Sequence, residues 1–288
     1  MAKLTLRRAG EAAVDASRPR LVGIMSGKGG VGKSVMAYNL ACVLADRRYR
    51  VLLVDCDFGS GNLHILANRH CYYGIQEFAE NKLSLREAVT GLTDNLDLLA
   101  AIPSRVSLFT YDIRGCVDMV HRLREQGQHY DLILLDHGSG RSDAATAMAH
   151  ASDTTVLVVV PELLSISDAY GLYRYLHDTD DKIDCRLLLN RLKSRDEGQY
   201  VFEKFRAMSD RFVGSSPRSL GYVREDEVVS HSVATQRPLH EINDKSPVLQ
   251  ALKIASSGLT TGLAPSGDRL MVGNREVNRT PAAADIRE

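Results

Sequence analysis

The eight residues Gly27-Lys28-Gly29-Gly30-Val31-Gly32-Lys33-Ser34 fit the pattern G-x-x-x-x-G-K-[ST], and they stand between an apolar run at 21–25 and a stretch at 34–46 whose apolar residues recur near a 3.6-residue period. No other segment restricts the architecture so tightly. The pattern works as a strand, a close glycine turn and a helix, so that successive backbone N–H groups converge on phosphate oxygens at the positive end of the helix. In that setting Lys33 reaches the β- and γ-phosphates, and the Ser34 hydroxyl meets Mg2+. Lys28 comes too early in the loop to replace Lys33; from the mouth its ammonium can reach a phosphate presented by another subunit. A merely structural glycine-rich turn is the alternative, and the two lysines, the serine and the flanks argue against it.

Further apolar runs follow. The run at 50–57 ends in Asp55 and Asp57, whose i, i+2 spacing sends both carboxylates off the same face of a strand end. Two acids there can meet Mg2+ and its waters, or can simply terminate the strand. The run at 130–135 delivers Asp136 into His137-Gly138-Ser139-Gly140, and runs at 154–161 and 185–190 follow. Strands alternating with helical stretches predict an α/β fold, a mostly parallel, doubly wound sheet with helices on both faces. A nucleotide would then sit at the carboxyl ends of the strands. With 288 residues, 44% of them apolar, the chain can bury one large core, expected over 21–263 without internal repeats. Residues 1–20 and 264–288 are expected to be flexible; the latter are rich in Pro, Gly, Asn and Ala, and their four arginines are balanced by two Asp and two Glu.

The segment from Lys28 to Ser34 resembles the deviant Walker A loop of the MinD/ParA (SIMIBI-class) ATPases, whose signature lysine crosses an ATP-bound dimer interface. The resemblance implies that Gly27, Lys28, Gly29, Gly30, Val31, Gly32, Lys33, Ser34 and Val35 surround the phosphates of ATP. Asp55-x-Asp57 followed by Gly59-Ser60-Gly61-Asn62-Leu63 matches the same family, which implies that Asp57 orients or polarises the attacking water while Asp55 supports the metal through water. Asp136 with its glycine-rich sequel resembles Walker B joined to switch II, which implies that Asp136 belongs to the Mg2+ shell and that the loop rearranges when the γ-phosphate is lost. Relatives carry a small residue or proline near His137, which is itself expected to be a solvated loop histidine. Asn190 matches the asparagine whose amide reads adenine, a role its donor and acceptor suit, although a turn asparagine would look the same.

The segment from Pro161-Glu162-Leu163-Leu164 through Asp168-Ala169-Tyr170, with 220–226 and 232–239, is similar to the FlhG/FleN branch of flagellar-number ATPases, so the resemblance covers about 21–263. Arg224 stands where relatives place a proline in the last strand, on the adenine side. The first 20 residues lack the Asp-Gln-Ala-x-x-Leu-Arg element through which flagellar members stimulate a GTPase partner. The branch implies a Mg2+-dependent ATPase that closes into an ATP-bound homodimer and controls flagellar number or placement through a GTPase, a transcriptional activator or a basal-body protein. A ParA-like ATPase positioning DNA or other cargo, and a nucleotide-binding adaptor of a secretion or export apparatus, are the alternatives.

Charge and cysteines bound the remaining classes. Thirty-six basic residues against 36 acidic ones leave no net charge, so no global field draws the chain to nucleic acid, although a local patch could. Cys42, Cys56, Cys71, Cys116 and Cys185 form no C-x-x-C pair and are expected to be reduced, buried residues of a cytoplasmic protein. No apolar run reaches membrane-spanning length. A helix over 247–263 has Val248, Leu252, Ala255 and Leu259 on one face but only Lys253 as a cation opposite, so it is expected to pack on the sheet, leaving membrane contact at most peripheral.

Overall fold

The computed structural model describes residues 18–102 and 112–266. Eight strands form one sheet in the order β3-β4-β2-β5-β1-β6-β7-β8: β1 Arg20–Met25, β2 Val51–Cys56, β3 Thr90–Thr93, β4 Leu96–Leu99, β5 Leu132–His137, β6 Thr154–Val159, β7 Cys185–Leu192 and β8 Arg218–Arg224. Every neighbouring pair is parallel except β3 with β4. β2, β5 and β6 are buried at every position, as unbroken apolar runs must be when helices cover both faces of a sheet.

Alternation along these strands divides the core. Val22, Leu53, Leu134, Val156 and Leu188 point to one face, under α1 (Lys33–Asp46) and, further along the chain, α11 (Pro247–Leu259). Leu52, Ile133 and Leu135 point to the other, against Phe78 of α3 (Ile75–Ala79) and Met119, Val120 and Leu123 of α5 (Ile113–Gln126). On that same side Leu157 and Leu187 meet Leu172 and Tyr173 of α7 (Leu163–Thr179) and Phe205 of α8 (Arg195–Phe212). Tyr173, Phe78 and Phe205 are among the largest wholly buried side chains, each contributing about 1.5–3 kcal/mol by removal from water. The remaining helices are α2 (Leu63–Leu66), α4 (Leu85–Ala88), α6 (Asp143–His150), α9 (Glu227–Thr235) and α10 (Leu239–Ile242).

The expected mostly parallel, doubly wound α/β architecture is therefore the one observed. Helix α11 packs on α1 and β8, with Val248, Leu252, Ala255 and Leu259 all buried, so its apolar face belongs to the core. Arg47 of the α1 C-terminus secures it by donating 2.7 Å to the Ser256 hydroxyl. The Arg20 guanidinium donates to the carbonyls of Leu259 and Thr261 at 2.7 and 3.0 Å, and the Ser266 hydroxyl donates 2.7 Å to Asp131. These bonds tie both ends of the described chain to the sheet; the expected flexibility of 1–17 and 267–288 lies outside the described residues. All five cysteines are buried and free. Among the described residues no helix is long and apolar enough to cross a membrane.

Two strands have no counterpart in the sequence reading. β3 and β4 form a hairpin at the edge beyond β2, and β3 is the only antiparallel member among the described residues. The strand order also reverses around β1: the chain leaves β1 for β2 on one side, returns through β5, and continues through β6 on the other. Such a reversal opens a crevice at the carboxyl ends of the strands, where the glycine loop emerges.

Candidate nucleotide site

The loop between β1 and α1 is held by contacts at its start, middle and end. At the start, Gly27 lies against the backbone of α7: a Cβ there would come within 2.4 Å of the Asp168 carbonyl carbon and 2.6 Å of the Ala169 nitrogen. In the middle, buried Val31 anchors the loop in the core while its carbonyl accepts a 2.8 Å bond from the Asn190 amide. At the end, Gly32 adopts φ +89, a left-handed conformation that side chains other than glycine rarely take, and a Cβ would stand 2.7 Å from Asn190 Nδ2. Gly32 is also the N-cap of α1 and offers no side-chain cap, so the first-turn N–H groups face the cleft without a protein side chain on them.

Gly29, Gly30, Gly32, Lys33, Ser34 and Val35 line that cleft, joined by Ser26, Asp57 and Ser139. Inside it, the Lys33 ammonium is almost wholly buried and donates 2.6 Å to Asp136 Oδ1. The Ser34 hydroxyl also bonds Asp136. Burial pushes the Asp136 carboxyl above the ordinary carboxylate range, and the Lys33 ammonium pulls it back. The register of β2 on β5 sets Asp55 beside Asp136. Burial, and then the Asp136 charge, raise the Asp55 carboxyl to about 7, against the downward pull of backbone N–H groups and of Lys33. Those backbone bonds are specific: Asp55 accepts from Asp57 N and from Leu63 N, both at 3.1 Å. Asp55 thereby organises the whole turn from 57 to 63, including Asp57, whose Oδ1 accepts from Ser60 N at 3.0 Å.

The structure thus gathers most of the expected phosphate and metal groups into one place; Gly27 and Val31 face α7 and the core, and three more of the expected nucleotide residues lie elsewhere. Lys28 is turned to Glu162, the N-cap of α7, at 3.0 Å across a solvent-exposed gap. Asn190 lies behind the loop as its buttress. Arg224 is exposed at the last position of β8, opposite Leu192. Three participants escaped the sequence reading: Ser26 and Ser139 as cleft-lining hydroxyls, and Glu162 as the partner of Lys28. A hydroxyl among glycines at the end of an apolar run is the signal that could have pointed to the two serines.

His137 corrects an expectation. It is not a solvated loop residue but the last residue of β5, completely buried, and burial followed by the nearby Lys33 charge lowers it to about 3, so the ring is neutral. Strand alternation explains the placement, because β5 continues through Asp136 and sends the next side chain to the opposite face. There the imidazole occupies room left by Gly23 of β1, where a Cβ would lie 3.0 Å from Nε2, and neither ring nitrogen has a hydrogen-bond partner.

Among the described residues no group of three or more His, Cys, Asp or Glu side chains is arranged to hold a metal by itself. The oxygens available, from Ser34, Asp55, Asp57 and Asp136, are hard donors of the kind Mg2+ accepts alongside phosphate oxygens and water. The antiactivator FleN of Pseudomonas aeruginosa is 26% identical over 250 residues, spanning 87% of this chain and 89% of the Pseudomonas protein. The flagellum site-determining protein YlxH of Helicobacter pylori is 26% identical over 226 residues, spanning 77% of this chain and 76% of its own. Among solved structures, the septum site-determining protein MinD of Pyrococcus horikoshii, complexed with Mg-ADP, superposes with a TM-score of 0.70 at 21% identity, over 84% of this chain and 96% of that one. The family model described as the CobQ/CobB/MinD/ParA nucleotide binding domain matches residues 22–239, and the chain belongs to that family.

Proposed function

We propose that this protein is an ATP-dependent switch that hydrolyses ATP slowly and works as a nucleotide-gated homodimer in the cytoplasm. The observation that carries the reading is the division of labour between two loop lysines: Lys33 is buried inside the cleft on Asp136, while Lys28 is held outside it by Glu162. An ammonium outside its own cleft could serve phosphates that a second subunit brings. ATP would draw Lys33 from Asp136 to the β- and γ-phosphates, leaving Asp136 and the Ser34 hydroxyl to hold Mg2+, with Asp55 supporting them from behind. The metal, when bound, neutralises charge on the β- and γ-phosphate oxygens. Asp57, at the cleft wall, orients the attacking water. Asn190 and Arg224, at the ends of β7 and β8, flank the side where the adenine would lie.

The output we infer is control of flagellar number or placement, on the strength of FleN and YlxH, the one described as an antiactivator and the other as flagellum site-determining. A transcriptional activator, a flagellar GTPase or a basal-body protein would read the dimer. Zero formal charge gives no support to DNA as the cargo, and Val248, Leu252, Ala255 and Leu259 of α11 are committed to the core, not to a membrane.

Solution mass by light scattering tests the switch. Wild type and Asp57→Ala are expected to be monomers with ADP and dimers with ATP and Mg2+; a mass indifferent to nucleotide removes the dimer mechanism. Lys28→Ala is expected to bind ATP within about threefold of wild type and to remain monomeric, since the exposed ion pair it breaks stabilises the fold by only about 0–1 kcal/mol. An ATP-dependent dimer of Lys28→Ala would show that this lysine does not cross.

A further inference from the structure

The turn after β5 places a hydroxyl in the phosphate cleft besides those of Ser26 and Ser34. We propose that Ser139 is a catalytic residue, donating its hydroxyl to the terminal phosphate of ATP during hydrolysis; the inference rests on the ATPase reading above.

Four observations lead there. Ser139 is exposed, yet it lines the cleft together with Lys33, Ser34 and Asp57. Its Oγ lies 3.4 Å from the point where a Cβ on Gly29 would stand, so it overhangs the loop backbone. Gly138 faces the Asp57 carboxylate, a Cβ there coming 3.8 Å from Cγ, so the turn that carries Ser139 runs along the same cleft wall as Asp57. The turn is also pinned on both sides: Gly140 N donates 2.9 Å to the Ser26 carbonyl, and buried His137 is wedged against Gly23. The nearby Ser26 hydroxyl differs, since it already donates 3.0 Å to the Lys28 carbonyl. The Ser139 hydroxyl has no such commitment.

A fixed donor aimed at the place where charge gathers in the transition state needs no reorganisation when the reaction occurs. In hydrolysis a water oxygen bonds to the γ-phosphorus while its bond to the bridging oxygen breaks. ADP leaves with that electron pair, the water proton passes to the phosphate product, and the serine keeps its own proton throughout.

The test uses the full chain with Mg-ATP and four proteins: wild type, Lys33→Ala, Ser139→Ala and Ser139→Thr. Turnover is measured by phosphate release and ADP affinity by a fluorescent analogue. Ser139→Ala is expected to lower kcat by about tenfold to a hundredfold while ADP affinity stays within about twofold, and Ser139→Thr, which keeps the hydroxyl, to recover most of the rate. Unchanged kcat in Ser139→Ala, with turnover that still depends on Lys33, overturns the role of Ser139 and leaves the ATPase reading standing. Wild-type turnover no greater than that of Lys33→Ala overturns both. A fall in ADP affinity equal to the fall in rate also overturns the proposal, because the serine would then be a ground-state binding or structural residue.

Discussion

Lys33→Ala is expected to abolish measurable nucleotide binding and, unusually for a loop substitution, to destabilise the nucleotide-free protein as well. The binding loss follows from removing a charged donor to phosphate, about 1.5–3 kcal/mol for one such bond and more when several oxygens share it. The stability loss follows from Asp136, which is left buried without the ammonium now 2.6 Å away. Breaking a buried pair from one side costs about 3–5 kcal/mol, unless the carboxyl takes up a proton. That exception fixes the pH dependence. Without Lys33 the upward push of burial on Asp136, joined by the Asp57 charge, is opposed only by the Ser34 hydrogen bond, so the folded state binds its proton more tightly than the unfolded state, and stability falls as pH rises through the window between the two values. Denaturant titrations should therefore show a larger deficit for Lys33→Ala at pH 8 than at pH 5. Adding Asp136→Asn should recover much of the stability at pH 8 without restoring nucleotide binding. A single variant as stable as wild type at pH 8 would mean that the pair contributes nothing to the resting fold.

Asp57→Ala should have the opposite character: normal stability, normal ATP binding and a turnover rate lower by about a hundredfold to ten-thousandfold, the range for removal of a group that positions or activates the nucleophile. The side chain is only partly buried and its one bond caps Ser60 N, so removing it leaves the Asp55 bonds that shape the turn intact. Retention of unhydrolysed ATP on a dimer isolated by size exclusion is the expected readout. An unaltered rate of phosphate release would take Asp57 out of the reaction.

The comparison of sequence with structure separates local information from distant information. β2 and β5 were legible because each is an unbroken apolar run ending in acid, and the glycine loop because its pattern presupposes its flanks. β3 was not: Thr90–Thr93 is a half-exposed edge strand of four residues containing a glycine, too short and too polar to show a period. His137 was misplaced because its environment depends on Gly23, a residue 114 positions earlier that makes room across the sheet. Lys28 and Asn190 were found as residues but not as contacts, since Glu162 and Val31 lie 134 and 159 positions away from them. Side-chain chemistry near a strand end can be read from the chain, whereas the direction in which that side chain turns is decided by packing.

Gly27 and Gly30 look alike in the loop, yet they answer to different pressures. Gly30 has open space beyond its Cα and needs only the left-handed backbone at φ +80, a conformation asparagine or aspartate adopts at modest cost. Gly27 is closed to every side chain by the backbone of α7, whether or not a nucleotide is ever bound. A descendant of this protein that had lost its ATP chemistry could drift at position 30 but would keep glycine at 27, so a surviving glycine there is a mark of ancestry and not of activity.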